Sequence, residues 1–261
     1  MKDWKWIDLP ETGSTNDEAR KYSAVAGGGK FVITAVRQNN GRGRRGRSWV
    51  GMEGNLFMSL GIEVPLAWPG QLIFIVTLAL AQSILKLSPA EDVRIKWPND
   101  VLVRGCKISG ILLEKGEGGY VIAGIGVNIA AAPDLPGQSY SAVSLREAGI
   151  LTERVEFLKL YLSCFDELWD KWRNEGFLPL REMWLSLAAG LRTEIKIVQE
   201  QTEKRGIFSG VDENGLLLLE KNGKIELDYK DVPIMCKVKS TAKTGEKVTN
   251  IADISLSLIH I

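Results

Sequence analysis

The sequence predicts an α+β protein, a mixed β-sheet flanked by helices over residues 1–189 followed by a small β-barrel over 190–236. Three observations carry this expectation. Up to about residue 189, apolar and β-branched strand-like runs are interrupted by long helical patterns. Beyond Gly190 the strands shorten, and the segments between them, Asp212–Gly215 and Asn222–Gly223, read as tight hairpin turns. The chain has 261 residues, 45% hydrophobic and 25% charged, enough for one large core and a small second unit. Residues 237–261, polar and then ISLSLIHI, show no pattern that would pack and are expected to be a tail outside the fold.

Trp4–Leu9 reads as a first strand. Ser14 or Thr15 then stands where a hydroxyl can cap a helix running to about Ser23. Phe31–Val36 is apolar and β-branched, a buried strand, and Asn55–Glu63 is another. Pro69 opens a long apolar helix to Leu87. Val93–Trp97 is a strand stopped by Pro98. Val101–Val103 and Lys107–Glu114 form a hairpin about Arg104–Gly105, and Gly119–Ile129 is a further strand. Ser144–Gly149 is a helical turn. Thr152 is placed to cap an amphipathic helix to about Arg173, and Leu178–Ala189 is one more helix. The small unit then holds four strands, Thr193–Val198, Glu203–Val211, Leu216–Glu220 and Lys224–Asp228.

Composition removes several functions. The net charge is +1, so no global positive field draws the chain to nucleic acid or to an anionic membrane. No run of about 18 apolar residues is present, so no membrane span is expected. The N-terminus MKDWKWIDLP lacks the apolar core of a signal peptide. Cys106, Cys164 and Cys236 lie far apart, which argues against disulfides or a zinc site and for reduced thiols in the cytoplasm. His260, at the extreme end, is the only histidine. Ser-His-Asp and Cys-His catalysis and His-ligated metals are therefore excluded from the folded body, and no dedicated metal site is expected.

Charge is nevertheless uneven. Between Glu18 and Glu53 there is no acid, and Arg37–Arg47 reads RQNNGRGRRGR, with five arginines. Such a run can be a disordered arm for RNA or a mobile loop over a phosphorylated small molecule. Its glycines, Gly41, Gly43 and Gly46, permit close approach of backbone N–H groups to an anion. Its arginines offer forked donors for carboxylate or phosphate. Three further motifs follow. KWPND (Lys96–Asp100) puts a lysine and an acid about a rigid turn at a strand end, or is a turn chosen for its shape. KISGILLE (Lys107–Glu114) would place Lys107, Ser109 and Ile111 on one strand face and Ile108 and Leu112 on the other. Gly110 there leaves room for a ligand against the sheet. GIGVN (Gly124–Asn128) thins a strand with two glycines and ends it with an amide.

GRGRRGRSW (Gly41–Trp49), KWPND, KISGILLE and GIGVN, in this order and spacing, resemble the successive signatures of biotin–protein ligases, and Ser14, Thr15, Asn16 and Gln38 fit as well. The resemblance covers roughly residues 5–235. It implies a class II synthetase-like catalytic domain followed by an SH3-like barrel, and a two-step reaction. Biotin is activated by MgATP to biotinyl-5′-AMP, then passed to a lysine of a biotin carboxyl carrier protein, as in acetyl-CoA carboxylase. It also implies site roles. Ser14, Thr15, Asn16 and Gln38 would hold biotin's polar ring system. Arg42, Gly43 and Arg44 would come from a loop that orders over biotin and the adenylate. Lys107 would bridge the carboxylate and the α-phosphate, and Gly110 would let the ligand chain pass. Arg44, Arg45, Arg47, Trp49 (near the adenine), Asn99 and Asn128 would serve the nucleotide. Asp100 would act with Lys107, Arg42 and Arg44 in the chemistry. Some members carry an N-terminal DNA-binding domain. Here the first strand begins by Trp4, so a ligase without repressor function is expected. The resemblance leaves open whether two copies pair through the sheet. Lipoate or octanoate transfer on the same fold, with Cys106 as nucleophile, and Arg/Gly recognition of RNA are the competing readings. Each leaves part of the motif set unexplained.

Overall fold

The computed structural model describes residues 3–64, 69–134, 141–199, 202–228 and 234–235. The expected tail lies outside them. Twelve strands and four α-helices are described, in two sheets.

The large sheet has the order β1-β2-β3-β7-β6-β5-β4: β1 (Trp4–Thr12), β2 (Lys30–Gln38), β3 (Leu56–Glu63), β4 (Val93–Lys96), β5 (Asp100–Val103), β6 (Cys106–Lys115) and β7 (Tyr120–Val127). Only β1–β2 is parallel along this path, so the sheet is mixed. A parallel pair needs a crossover, and α1 (Thr15–Ser23) supplies it. Period-two patterning sorts the faces. In β3, Leu56, Met58, Leu60 and Ile62 enter the main core. Phe57, Ser59 and Gly61 therefore face the other way, toward α1.

The two faces are covered unequally. One side carries α2 (Leu72–Leu87), α3 (Arg154–Glu175) and α4 (Leu178–Leu187). α2 is apolar around nearly its whole circumference because sheet and helices enclose it; twelve of its residues are buried. Phe74 meets Phe177 and Trp184 edge to face, with ring centroids 5.0 and 5.1 Å apart. The opposite face carries α1 over a small cluster of Ala19, Phe31, Ile33, Tyr120 and Ile122. The remainder of that face is left for the site.

The second sheet is β8 (Glu194–Gln199), β9 (Thr202–Val211), β10 (Leu217–Lys221) and β11 (Lys224–Asp228), a meander in the order β11-β10-β9-β8. The expected barrel is, among the described residues, an open four-stranded sheet. β8 and β11 do not pair, and the next described strand, β12 (Ile234–Met235), runs parallel to β6 of the large sheet. Its apolar face joins the main core through Phe208, Val211, Leu217 and Leu219, and Arg181 Nε donates to Val211 O at 2.7 Å.

Two cap expectations change. Ser14 does occupy the N-cap of α1, but its hydroxyl makes no capping bond. Glu153, not Thr152, is the N-cap of α3, and Thr152 stays outside the helix. No helix among the described residues is long and apolar enough to cross a membrane.

Candidate active site

The four motifs converge on one cleft. Thirteen of the residues singled out from sequence line it: Ser14, Thr15, Asn16, Gln38, Arg42, Gly43, Arg44, Arg47, Trp49, Asn99, Lys107, Gly110 and Asn128. Asp100 stands just behind Lys107. Arg45 lies exposed at the loop tip, in the left-handed region at φ 57°, outside the lining.

The Arg/Gly run is a short folded loop. Trp49 N donates to Gly41 O at 2.9 Å and Gly43 N to Arg47 O at 2.6 Å, so its two limbs are tied together. Gly43 sits at φ −107°, a conformation open to any residue. Gly41 is needed for proximity instead, because a Cβ there would lie 2.6 Å from Trp49 O. Arg42 forms a two-point pair with Asp17 of α1, both bonds at 2.7 Å, and reaches Glu114 at 3.4 Å. Asp17 drives the Arg42 guanidinium further above its ordinary range, and Arg42 in turn lowers the Asp17 carboxyl. Arg44 Nη1 donates to Asn99 Oδ1 at 3.2 Å.

Asn99 fixes the KWPND turn to β6. Its side chain donates to Ile111 O at 2.7 Å, and Ile111 N donates to Asn99 O at 3.0 Å. This brings Asp100 opposite Gly110. Lys107 Nζ lies 2.8 Å from Asp100 Oδ1, an ion pair whose angle is poor for a hydrogen bond. The Lys107 backbone is held as well: its N–H donates to Ser141 O at 2.8 Å and its carbonyl accepts from Val143 N at 3.0 Å.

Regular alternation fails at this point. Val101 pairs with Ser109 but the adjacent Leu102 pairs with Lys107, so Ile108 is an extra residue, a bulge. The bulge turns Lys107 away from Ser109 and Ile111 and onto the face of Gly110 and Leu112. A Cβ on Gly110 would lie 3.2 Å from Lys107 Nζ. Ile108 and Ile111 go to the main core.

Gly110 faces Gly126 across β6 and β7. The Trp49 indole lies over both: a Cβ on Gly110 would come within 3.0 Å of the ring, and one on Gly126 would overlap it. Among the described residues, its buried Nε1 meets no acceptor. Lys107 Nζ sits 5.7 Å from the ring centroid. Asn128 is bonded to the frame; its amide donates to Val143 O at 3.3 Å and its oxygen accepts from Asn55 at 3.4 Å.

At the other end is a polar nest. Thr15 N and Oγ1 lie 2.9 and 3.1 Å from Gln38 Oε1. Asn16 Nδ2 donates to Glu114 at 2.6 Å. Behind them, Ser59 Oγ is 2.6 Å from Asn16 Oδ1 and 2.8 Å from Thr15 Oγ1. Gly124, opposite Ser59 in the register, leaves the space that the Asn16 amide fills. Ser59, Glu114 and Asp17 were not singled out from sequence. The signal for Ser59 was present, a lone hydroxyl on the Phe57–Gly61 face of an otherwise apolar strand. The other two depend on packing between distant elements. Among the described residues no cluster of three His, Cys, Asp or Glu could hold a metal.

Comparison with known proteins agrees with this geometry. Residues 9–128 match the model of the biotin/lipoate A/B protein ligase family. The chain is 40% identical over 223 residues to the biotin–[acetyl-CoA-carboxylase] ligase of Paracoccus denitrificans, covering 81% of this chain and 92% of that one. Among solved structures it is similar to the biotin protein ligase of Aquifex aeolicus in complex with biotin and ATP (TM-score 0.75, 26% identity, 87% of this chain and 96% of that one). It is also similar to the Leishmania major biotin protein ligase with biotinyl-5-AMP (TM-score 0.65, 26% identity, 85% and 98%).

Proposed function

We propose that this chain, which belongs to the biotin–protein ligase family, activates biotin with ATP and transfers it to a lysine of a biotin carboxyl carrier protein. In the first step a carboxylate oxygen of biotin attacks the α-phosphorus of MgATP. The bond to the β-phosphate breaks, and pyrophosphate leaves with its electron pair. In the second, a neutral lysine amine attacks the acyl carbon of biotinyl-5′-AMP, AMP departs, and the amine gives up a proton.

One observation carries the reading: a single cleft has a hydrogen-bonding nest at one end and fixed cations at the other. The nest, Ser14, Thr15, Asn16 and Gln38, suits a small polar ring system. Lys107 and Arg44 suit the meeting of two anions, carboxylate and phosphate, where preorganised positive charge lowers the barrier without histidine. Lys107 is held through its backbone and by Asp100, Arg44 by Asn99. Arg42 contributes differently. With its guanidinium bound to Asp17 and Glu114, it braces the base of the loop and offers backbone, rather than a free fork, to the ligand.

The loop acts as a lid. Trp49 lies over Gly110 and Gly126, the thinnest part of the sheet, where an aliphatic chain between nest and cations would run. Biotin entry displaces the indole, which then packs against the adenine while Arg45 and Arg47 reach the phosphates. A closed lid protects the hydrolysis-prone adenylate from water. Asp100 is the acid nearest the reacting end and takes the proton of the incoming amine. Normal transfer from preformed adenylate by Asp100→Asn would refute that role.

The test of the whole reading is exchange of labelled pyrophosphate into ATP. Exchange stimulated by biotin and not by lipoate is expected. Stimulation by lipoate alone would overturn the assignment.

A further inference from the structure

Asn55 closes the loop that follows β7, and the backbone fixes the orientation of its amide. Its Oδ1 accepts from three successive N–H groups, those of Ile129, Ala130 and Ala131, at 3.0, 3.0 and 3.2 Å. Only the amide oxygen can accept, so the other end is the Nδ2 donor. Its two hydrogens go to Ala131 O at 2.8 Å and to Asn128 Oδ1 at 3.4 Å. Asn128 is oriented in turn. Its oxygen faces Asn55, and its Nδ2 donates to Val143 O at 3.3 Å. The Val143 N–H donates to the Lys107 carbonyl at 3.0 Å, so the run of bonds ends at the lysine of the reacting end. The register agrees: Leu56 pairs with Val127, which sets Asn55 opposite Asn128 one step further on. Gly54 lets the two segments touch, since a Cβ there would lie 2.7 Å from the Ala130 Cβ. Asn55 is buried and does not line the cleft, whereas Asn128 and Pro133, on either side of the clamped residues, do.

We propose that Asn55 is a positioning residue for the nucleotide end of the cleft, holding the Asn128 amide and the loop from Ile129 to Ala131 in the arrangement that receives ATP. The inference rests on the ligase reading above. Asn55 acts through Asn128 and does not touch the ligand itself. A loop cap alone needs only Oδ1, which satisfies the three N–H groups. The Nδ2 contact with Asn128 is what couples that cap to the cleft. Without it, the Asn128 amide is free to turn over and exchange its donor and acceptor ends. An amide fixed before the ligand arrives spends no binding energy on being ordered.

Asn55→Asp separates the cap from the coupling. The carboxylate still accepts from the three N–H groups but has no hydrogen for Asn128. Asn128 then turns its Nδ2 toward the carboxylate and gives up Val143 O. The experiment measures biotin-dependent pyrophosphate exchange for wild type, Asn55→Asp, Asn128→Ala and the double variant, with thermal melts to confirm folding. Each single variant is expected to raise KM for ATP about tenfold, the order of one well-made hydrogen bond, with KM for biotin held within about twofold. The double variant should be no worse than Asn128→Ala, because the effect of Asn55 passes through Asn128. With wild type active, three results would overturn the inference alone. They are an unchanged KM for ATP in folded Asn55→Asp, an equal rise in KM for biotin, or additive effects in the double variant. Asn128→Ala leaves the cap intact, so an unchanged KM for ATP in that variant overturns the inference even if Asn55→Asp does not fold. No exchange by wild type would overturn the function and this inference with it.

Discussion

Removing Lys107 separates a structural role from a chemical one. Lys107 and Asp100 are 2.8 Å apart with side chains only 13% and 14% exposed. Lys107→Ala leaves the Asp100 carboxylate without its counter-charge, which in a fully buried pair costs about 3–5 kcal/mol. The residual exposure brings the expected loss to about 2 kcal/mol, read by urea denaturation. Removing both partners leaves no lone charge, so Lys107→Ala/Asp100→Ala should unfold within about 1 kcal/mol of wild type. Chemistry should follow a different pattern. Loss of one preorganised cation at the site of charge development costs about 10²–10³ in rate. The double variant should therefore recover stability and recover none of the rate of adenylate formation, measured in a single turnover with saturating biotin and ATP. If the double variant regained wild-type rate, Lys107 would serve only to neutralise Asp100, and its assignment to the reacting end would be wrong.

Three further outcomes follow from the geometry. Gly126→Ala inserts a Cβ into the Trp49 indole and should cost about 1–3 kcal/mol by overpacking, relieved when Trp49→Ala is added; no loss of stability would mean the indole does not rest there. Trypsin should cut the exposed loop at Arg45 and Arg47, and biotin with ATP should slow the cutting if the loop is a lid; unchanged cutting would refute closure. The Asp8 and Asp17 carboxyls are lowered from the ordinary 3.8, chiefly by hydrogen bonds from Arg154 and Arg42. A depressed carboxyl stabilises above its unfolded value, so this contribution is complete above about pH 5 and fades as pH falls through 3.8 and below. Asp8→Asn/Asp17→Asn should flatten that acid limb of the denaturation curve, and a limb equally steep would contradict the assignment.

Much of this was legible in the sequence because the information was local. The hydrophobic period placed the large-sheet strands to within a few residues, and α2 announced itself by apolar length. The four motifs did meet in one cleft, since each lies at a strand end or a loop beside the same few strands. What escaped notice was non-local. The bulge at Ile108 is set by pairing with β5 and the segment at Ala142, and nothing within KISGILLE reveals it. Strict alternation therefore put Lys107 on the wrong face. Arg42 read as a ligand for an anion because its partners, Asp17 and Glu114, are 25 and 72 positions away. Hairpin turns at Asp212–Gly215 and Asn222–Gly223 specified a meander correctly, but turn chemistry says nothing about whether its edge strands meet. Thr152 has the chemistry of a cap, yet the helix begins one residue later than that chemistry requires.

One cleft both makes biotinyl-5′-AMP and delivers it to protein in the function proposed above. Its most direct test is incubation of the purified chain with biotin, MgATP and a biotin carboxyl carrier domain, followed by peptide mass analysis. A biotinyl group is expected on a single carrier lysine, dependent on ATP and matched by release of AMP. An unmodified carrier, or a lipoyl group attached in its place when lipoate is supplied, would contradict it.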